Sequence, residues 1–372
     1  MYYNIEYILI IGIFMLYCKI IEKIKEEILS GTYKDKRLPN RDTLCNRYNV
    51  TRNTVQNAID IIMQAGLLKS HGRNGTEINK NLKKDITIGI AIQSENAKDD
   101  SLFQVIESVA QDINTSKSGK FKLYYGILQA PESGDTKQLI QDIDAHVISG
   151  LILFWPTKEM FNRFYRNWLP IICTIEDRFY KGCEYLAPNH ISLIDKMLNE
   201  ALRIKRRNVA LLTNVKMKKT YIDYFQTAIE QKGLVSCDDW IQGSCLCKKA
   251  LPWSGKIVEL LMKQNFKKKP DVLLVLNESL RDYAVNGIRK AGLHIPRDIE
   301  IISHCNFYKN SNKFKKSIYI GFDIQAMVNE YAEMIGNRYL EGKINSRVKV
   351  MEAVKADEHK KPSIDFFKPV NS

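Results

Sequence analysis

The chain has 372 residues, of which 45% are hydrophobic and 26% are charged. This length predicts two or three domains, and the composition is that of a globular protein and excludes a disordered or fibrous one. Lysine and arginine total 56 against 42 aspartate and glutamate residues, which gives a net charge of +14. The surplus favours a polyanionic partner, although a lysine-rich solvated surface would have the same composition.

The N-terminal segment from Tyr7 to Cys18 has 12 residues without a charge. A membrane span takes about 20 apolar residues, and residues 1–6 lack the basic charge of a signal peptide. Our interpretation is that translation begins at Met15 and that residues 1–14 are an apolar extension outside the native protein. A short membrane anchor and an additional apolar helix are the alternatives.

Residues 15–78 have the pattern of a winged helix-turn-helix domain of the α+β class. Apolar residues that recur every three or four positions predict helices, and Asn40 and Thr51 are suited to cap two of them. Two short extended runs flank a glycine-containing turn, as in the wing of such domains. The predicted elements, three helices and then two strands, cover residues 20–29, 41–48, 52–65, 67–70 and 76–78.

The helix that starts after Thr51 is expected to enter the major groove of DNA, with its first turn against the base edges. Arg52 can bond a guanine through two hydrogen bonds, and Asn53 or Gln56 can bond an adenine. The hydroxyl groups of Thr51 and Thr54 suit phosphate contacts.

The predicted wing adds three candidate DNA contacts. Gly72 permits a close approach to the minor groove, with His71 and Arg73 beside it. The alternative is that Arg52 and Arg73 are solvated surface charges.

This segment resembles the DNA-binding domain of GntR-type transcription regulators. The resemblance implies sequence-specific DNA binding, with Arg41 as a further contact. The order Asn40-Arg41-Asp42 and the glutamine at position 56 depart from the family pattern, so we expect an operator that differs from the commonest family site. The matching stretches are Ile20–Tyr33, Leu38-Pro39, Val50–Val55, the Gly66-Leu67 turn and the wing from Gly72 to Thr76.

Positive charge is densest in the predicted DNA-binding region. Residues 1–84 hold 14 basic and 8 acidic residues, a net +6, whereas the rest of the chain holds 42 and 34, a net +8 over a much longer stretch. Phosphate neutralisation requires such a concentration of charge. Residues 79–85 are polar and basic and are predicted to be a linker.

From residue 86 to residue 361, short apolar runs alternate with helical stretches. This βαβ pattern predicts parallel sheets with helices on both faces, and two successive series predict two lobes. Neither a GxGxxG nor a GxxxxGK[ST] motif is present, and Cys245 and Cys247 form a lone C-x-C pair with poor zinc spacing. We therefore expect no cofactor and no metal.

The two-lobed region resembles the effector domain of LacI/GalR-type repressors, which is itself similar to periplasmic sugar-binding proteins. The resemblance implies a domain for effector binding and dimerisation over residues 86–361, followed by a tail at 362–372. It is carried by Pro270–Glu278, Ala284–Ile302, Ser149–Leu153, Glu176–Arg178 and Asp323.

The same resemblance implies a small-molecule site in the cleft between the lobes. Tyr221 stands where the family has an arginine that binds the sugar, and Ser303-His304-Cys305-Asn306 replaces an aspartate-containing turn. For Phe103, Tyr221, Trp253 and Asn306 the alternative is ordinary core packing. The candidate effector-binding residues are Gln93, Phe103, Asp177, Tyr221, Trp253, Asn277, Asn306 and Asp323.

The sequence thus predicts an α+β winged helix-turn-helix followed by an α/β two-lobed, periplasmic-binding-protein-like domain with parallel sheets. The predicted function is transcription regulation by a cytoplasmic homodimer on a palindromic operator, with repression as the expected sign and a sugar as the expected effector. The cytoplasmic location also agrees with eight dispersed cysteines, which suit a reducing compartment. The alternatives are a regulator with a degenerate pocket that binds DNA constitutively and a membrane-tethered sugar receptor. Catalytic constellations are absent from the sequence, so we expect no enzyme activity.

Overall fold

The computed structural model covers the winged helix-turn-helix and both lobes. It describes residues 20–21, 23–24, 27–28, 32–33, 37–64, 67–70, 72, 75–78, 86–94, 97, 100–116, 120–128, 134–145, 147–166, 169–174, 180, 182–308, 317–341 and 348–356. The interpretations of the N-terminal extension, the linker and the C-terminal tail lie outside these residues. Among the described residues, no helix is both long and apolar enough to cross a bilayer.

The N-terminal domain has the elements that its periodicity predicts. Helix α1 (Arg41–Tyr48) and helix α2 (Arg52–Gln64) are followed by an antiparallel pair, β1 (Leu68–Ser70) and β2 (Thr76–Ile78). The regularly spaced isoleucines before them are helical and buried, and they pack with the apolar faces of α1 and α2 in one core. The predicted ends agree with the observed ones to within one residue for these four elements.

The rest of the chain forms two lobes, each built on a six-stranded sheet. We call them the N-lobe and the C-lobe. The N-lobe sheet has the order β13-β7-β6-β5-β3-β4 and is parallel throughout. Its strands are β3 (Thr87–Ile92), β4 (Lys120–Tyr124), β5 (Gly150–Phe154), β6 (Ile171–Cys173), β7 (Glu184–Pro188) and β13 (Val348–Met351).

The C-lobe sheet has the order β14-β12-β11-β10-β8-β9 and is parallel except for β14, which runs antiparallel to β12. Its central strands are continuous apolar runs because helices cover both faces of the sheet. The strands are β8 (Val209–Asn214), β9 (Ile241–Ser244), β10 (Val272–Val275), β11 (Glu300–Phe307), β12 (Ile318–Asp323) and β14 (Val354–Lys355).

Eight helices of the described residues connect these strands. The helix after β10 follows a short 3-10 turn, Glu278–Leu280, and is α-helical from Arg281. The helices are α3 (Ser101–Ser116), α4 (Gly134–Asp144), α5 (Lys158–Phe164), α6 (His190–Arg203), α7 (Lys219–Gln231), α8 (Leu251–Lys263), α9 (Arg281–Lys290) and α10 (Ile324–Glu341).

Three connections join the lobes. After β7 of the N-lobe, α6 leads to β8 of the C-lobe, and after β12 the helix α10 leads back to β13. The chain then crosses a third time, from β13 to β14. Tyr308, beyond β11, adds a side-chain link because its hydroxyl donates to Asp112 on α3.

Helices α8 and α9 of the C-lobe approach closely at two glycines. A Cβ atom on Gly287 would lie 2.3 Å from the carbonyl oxygen of Gly255, and one on Gly255 would lie 2.8 Å from the carbonyl oxygen of Tyr283. Because backbone atoms occupy this space, any side chain there requires the helices to separate.

We therefore expect Gly287→Ala to lower the free energy of unfolding by about 1–3 kcal/mol, the usual cost of overpacking. Urea unfolding followed by circular dichroism measures this effect. The control is Asn286→Ala on the exposed side of the same helix, which should stay within about 0.5 kcal/mol of the wild type. Equal unfolding midpoints for both variants would contradict the close helix contact.

Candidate DNA interface and interlobe cavity

The start of α2 presents three polar side chains to solvent. Thr51 caps the helix, since its Oγ1 accepts from the amide of Thr54 at 3.3 Å and its carbonyl accepts from the amide of Val55 at 3.1 Å. This cap leaves Thr51, Arg52 and Asn53 exposed. The turn has the position and the donor groups that base and phosphate contacts need.

Arg52 is the most accessible cation of this turn. Its side chain is 73% exposed, and its Nη1 lies 3.7 Å from an equally exposed carboxylate oxygen of Asp42. Exposed pairs of this kind contribute little stability, so the guanidinium group can leave Asp42 for a base at small cost.

Arg41 and Gln56, two predicted DNA contacts, are engaged within the domain. Arg41 donates from Nε to the Gln56 side chain at 3.0 Å and from Nη1 to the Thr76 hydroxyl of the wing at 2.9 Å. The Gln56 amide donates in turn to Asp60 at 2.7 Å. These bonds tie α1, α2 and the wing strand β2 together, so both side chains position the elements that would meet DNA.

The wing turn requires glycine at two positions. Gly72 has a φ of +58° and Gly75 a φ of +87°, and no atom would lie within 4 Å of a Cβ at either one. Glycine is therefore needed for its backbone conformation and leaves an open surface. His71 and Arg73, the other predicted wing contacts, lie outside the described residues.

A cavity of about 330 Å³ lies between the two lobes, a size that suits a small ligand. Residues at the carboxyl ends of strands of both sheets supply most of its wall, as expected for open parallel sheets. The lining residues are Asp100, Leu102, Phe154, Trp155, Thr174, Ala187, Pro188, His190, Thr213, Asn214, Lys216, Met217, Lys218, Tyr221, Leu246, Leu276, Asn277, His304, Asn306, Phe322, Ile324, Met327 and Tyr331.

Three of the predicted effector residues meet at this cavity. Tyr221 on α7 is 7% exposed and packs against His190, with the ring planes tilted by 38° and the ring centroids 5.2 Å apart. Asn277 caps the 3-10 turn after β10 through its side-chain oxygen, which accepts from the amide of Ser279. The backbone amide of Asn306 donates to Glu278 at 3.0 Å, so the backbone of this strand is held in place beside the cavity.

The structure does not place four other predicted residues on the cavity wall. Gln93 follows β3 and is not among the lining residues, and Phe103 is buried behind the wall, edge-on to Phe154 and Trp155. Trp253 is 67% exposed on α8. Asp323 accepts from the amide of Ala326 at 2.8 Å and thereby caps α10.

The fifth, Asp177, lies outside the described residues. The family resemblance placed Trp253 beside the ligand, but Trp253 lies in the first turn of α8, which starts at Leu251, and is exposed to solvent there.

Trp155 is a cavity residue that sequence reasoning missed. It follows β5 directly, lines the cavity with 54% of its surface exposed, and has a φ of +47°, which is uncommon for a residue with a side chain. The backbone amide of Trp155 donates to the Thr174 hydroxyl at 3.0 Å. The Phe103 ring lies nearly perpendicular to the indole, with ring centroids 5.4 Å apart. Its position just past an apolar strand was the available signal.

His304 is a buried polar side chain of the cavity wall. Burial, together with nearby His190, lowers the pKa of His304 to about 3, so the ring is neutral at physiological pH. Within the described part of the chain, its Nδ1 has no hydrogen-bond partner. Buried polar atoms are nearly always paired, so this nitrogen is an exception in a residue of the cavity wall.

The described residues contain no group of three or more histidine, cysteine or carboxylate side chains placed to hold a metal ion. Cys245 and Cys247 lie in the loop after β9 as free thiols. Leu246 between them faces the cavity.

The low pKa of His304 predicts a pH dependence of stability. The unfolded chain takes up a proton near pH 6.5 and the folded chain only near 3, so stability falls as the pH drops below 6.5. The slope should approach about 1.4 kcal/mol per pH unit between these values. Urea unfolding between pH 7 and pH 5 should show this slope, and His304→Gln should reduce it. The control is His294→Gln at an exposed histidine beside Asp298, which should keep the wild-type slope. An unchanged slope in His304→Gln would contradict the low pKa of His304.

Comparison with known proteins agrees with this two-part architecture. Residues 16–78 match the family model of bacterial regulatory proteins of the gntR family. The chain as a whole has no significant sequence match among curated proteins.

Three similar solved structures are LacI-type regulators. One from Bacillus cereus subsp. cytotoxis NVH 391-98, described as a LacI transcriptional regulator, has 12% identity and a TM-score of 0.58 over 75% of this chain and 100% of that one. A LacI-family regulator from Enterococcus faecium with bound ribose has 14% identity and a TM-score of 0.55 over 72% and 96%. One from Lactobacillus casei with bound sucrose has 11% identity and a TM-score of 0.54 over 72% and 97%. The chain therefore joins a segment that matches the gntR family of bacterial regulatory proteins, at residues 16–78, to two lobes with the fold of LacI-family transcriptional regulators.

Proposed function

We propose that this protein is a sequence-specific DNA-binding transcription regulator whose operator affinity depends on a small molecule bound between the lobes. One observation carries the proposal: a gntR-family domain is followed in the same chain by two lobes that enclose a ligand-sized cavity. A homodimer on a palindromic operator, acting as a repressor in the cytoplasm, is part of the proposal. The proposal includes no catalytic activity.

The α2 turn with Arg52 supports the DNA half of the proposal. Thr51, Arg52 and Asn53 are exposed and adjacent, and the Arg41 network holds this helix against the wing. Of the residues predicted from the sequence, Arg52 is proposed to bond a base edge, and Arg41 and Gln56 are proposed to position the helix. The other predicted residues remain proposed DNA contacts.

A sugar is the proposed class of effector. The cavity offers Trp155 and Tyr221 as aromatic surfaces, and Asn277 and Asn306 as groups that bond hydroxyls. Two structurally similar LacI-family regulators have ribose and sucrose bound, which supports this class. The cavity also favours a working effector site over a degenerate one.

The proposed control is a change in the relative position of the two lobes. A ligand that contacts both walls of the cavity binds a closed arrangement more tightly than an open one, and it can shift DNA affinity only by that difference. Residues 79–85 would connect the lobes to the DNA-binding domain.

Loss of Arg52 tests the DNA half directly. Arg52→Ala should weaken binding to the operator by about 1–3 kcal/mol and relax selectivity at one base pair. Binding of the full chain to DNA from upstream of its own gene, at two salt concentrations, measures this effect. Arg207→Ala, an exposed arginine of the C-lobe, is the control and should bind as the wild type does. Full affinity and selectivity in Arg52→Ala would contradict its role, and no selective binding by the wild type would reopen the tethered-receptor alternative.

Loss of Trp155 tests the effector half. In the same assay with a panel of sugars, one sugar should change operator affinity, and Trp155→Ala should require at least about tenfold more of it. The DNA affinity of this variant without sugar should be unchanged. Trp253→Ala removes an exposed tryptophan outside the cavity and should respond like the wild type. Operator binding that no sugar alters would favour a constitutive regulator.

A further inference from the structure

The electrostatics of the cavity wall set this site apart from one for a neutral sugar. Lys216 and Lys218 both line the cavity, from the loop that joins β8 to α7. Asp100 is the one carboxylic acid among the lining residues, and burial raises the pKa of its carboxyl group. The described wall therefore carries an excess of positive charge.

The same loop ends at the N-terminus of α7, a helix of 13 residues. Lys218 is its N-cap residue and provides no side-chain hydrogen bond to the first turn. The first amides of a helix lack intrahelical acceptors and carry partial positive charge, which makes such an end suited to an anion. Since Lys218 and Tyr221 both line the cavity, this helix end lies at the wall.

His304 provides an independent sign of a polar ligand. Its side chain lines the cavity and is almost completely buried, and no described residue bonds its Nδ1. A neutral imidazole has one nitrogen that donates and one that accepts, so it can bond a hydroxyl or an anionic oxygen without adding charge.

Acidic groups close to this region are already bonded elsewhere. Glu278 accepts from the backbone amide of Asn306, and Asp223 on α7 accepts from Lys219 at 2.6 Å. Neither carboxylate is among the lining residues. They therefore do not oppose an anion at Lys216 and Lys218 in the way that a carboxylate on the wall would.

We propose that the effector is a sugar that carries an anionic group, a phosphate or a carboxylate, bound by Lys216, Lys218 and the N-terminus of α7. This inference rests on the proposed function and names the chemistry of its ligand. The hydroxyl groups of the sugar then remain for Asn277, Asn306 and His304.

Calorimetric titration of the full chain at constant ionic strength tests this proposal. The probes are glucose, glucose 6-phosphate, gluconate, ribose, ribose 5-phosphate and inorganic phosphate. At least one anionic sugar should bind at least about tenfold more tightly than its neutral counterpart. The phosphate and carboxylate forms of glucose distinguish the two anionic groups.

Two charge-matched double variants locate the binding. Lys216→Gln with Lys218→Gln should lose at least about tenfold in affinity for the anionic sugar and keep the affinity for the neutral one. Lys268→Gln with Lys290→Gln removes the same charge at exposed positions away from the cavity and from α7, and it should match the wild type. The control also identifies phosphate bound at the DNA-binding domain, because such binding would survive in both variants.

Three outcomes would overturn the proposal. They are tighter binding of the neutral sugar, equal binding of the anionic sugar to both double variants, and no binding of any anionic probe at millimolar concentration. Binding of a neutral sugar that changes operator affinity would leave the proposed function intact while this inference fails. Operator binding that responds to no sugar, neutral or anionic, would count against the effector half of the proposed function itself.

Discussion

The carboxyl ends of two parallel sheets determine where this molecule can bind a ligand. In each lobe the central strands are mostly buried apolar runs, and most polar side chains of the cavity wall lie where a strand ends and the chain turns. Trp155, Asn214, Asn277 and Asn306 lie at or just beyond such ends, and the three crossings between the lobes bring them to one cavity. Because the wall comes from both lobes, any ligand that fills it also links them.

In the N-terminal domain, a small network of polar side chains holds the helices and the wing together. Arg41 bonds Gln56 on the helix proposed to enter the groove and Thr76 on the wing, so one side chain aligns the two elements that would contact DNA. Arg52 remains exposed in the same turn. Arg41 on α1 and Gln56 on α2 thus hold the domain in shape, whereas the proposed base contact, Arg52, is exposed at the start of α2.

The sequence predicted the fold well because its signals are local. Helix α1 lies at its expected bounds, and the alternation of strands and helices after residue 86 predicted the parallel sheets. The prediction did not include β7, β12, α10, β13 or β14. The last two are short, partly exposed strands without a periodic pattern. The residues of the cavity wall were harder to predict, because helix rotation and strand register decide which side chains meet there. Tyr221 lines the cavity as predicted, whereas Trp253 is exposed to solvent. Lys216 and Lys218 carry no sequence signal apart from their place after a buried strand.

The central claim is that occupancy of the cavity and DNA binding are coupled. Coupling between two sites is reciprocal, so operator DNA must change the affinity for the effector by the same factor as the effector changes the affinity for DNA. The most direct measurement is calorimetric titration of the neutral and anionic sugars into the full chain with and without saturating operator DNA. The account predicts at least one sugar whose affinity differs between the two titrations. If every sugar that binds does so with equal affinity in both, cavity and DNA-binding domain act independently and the account is contradicted.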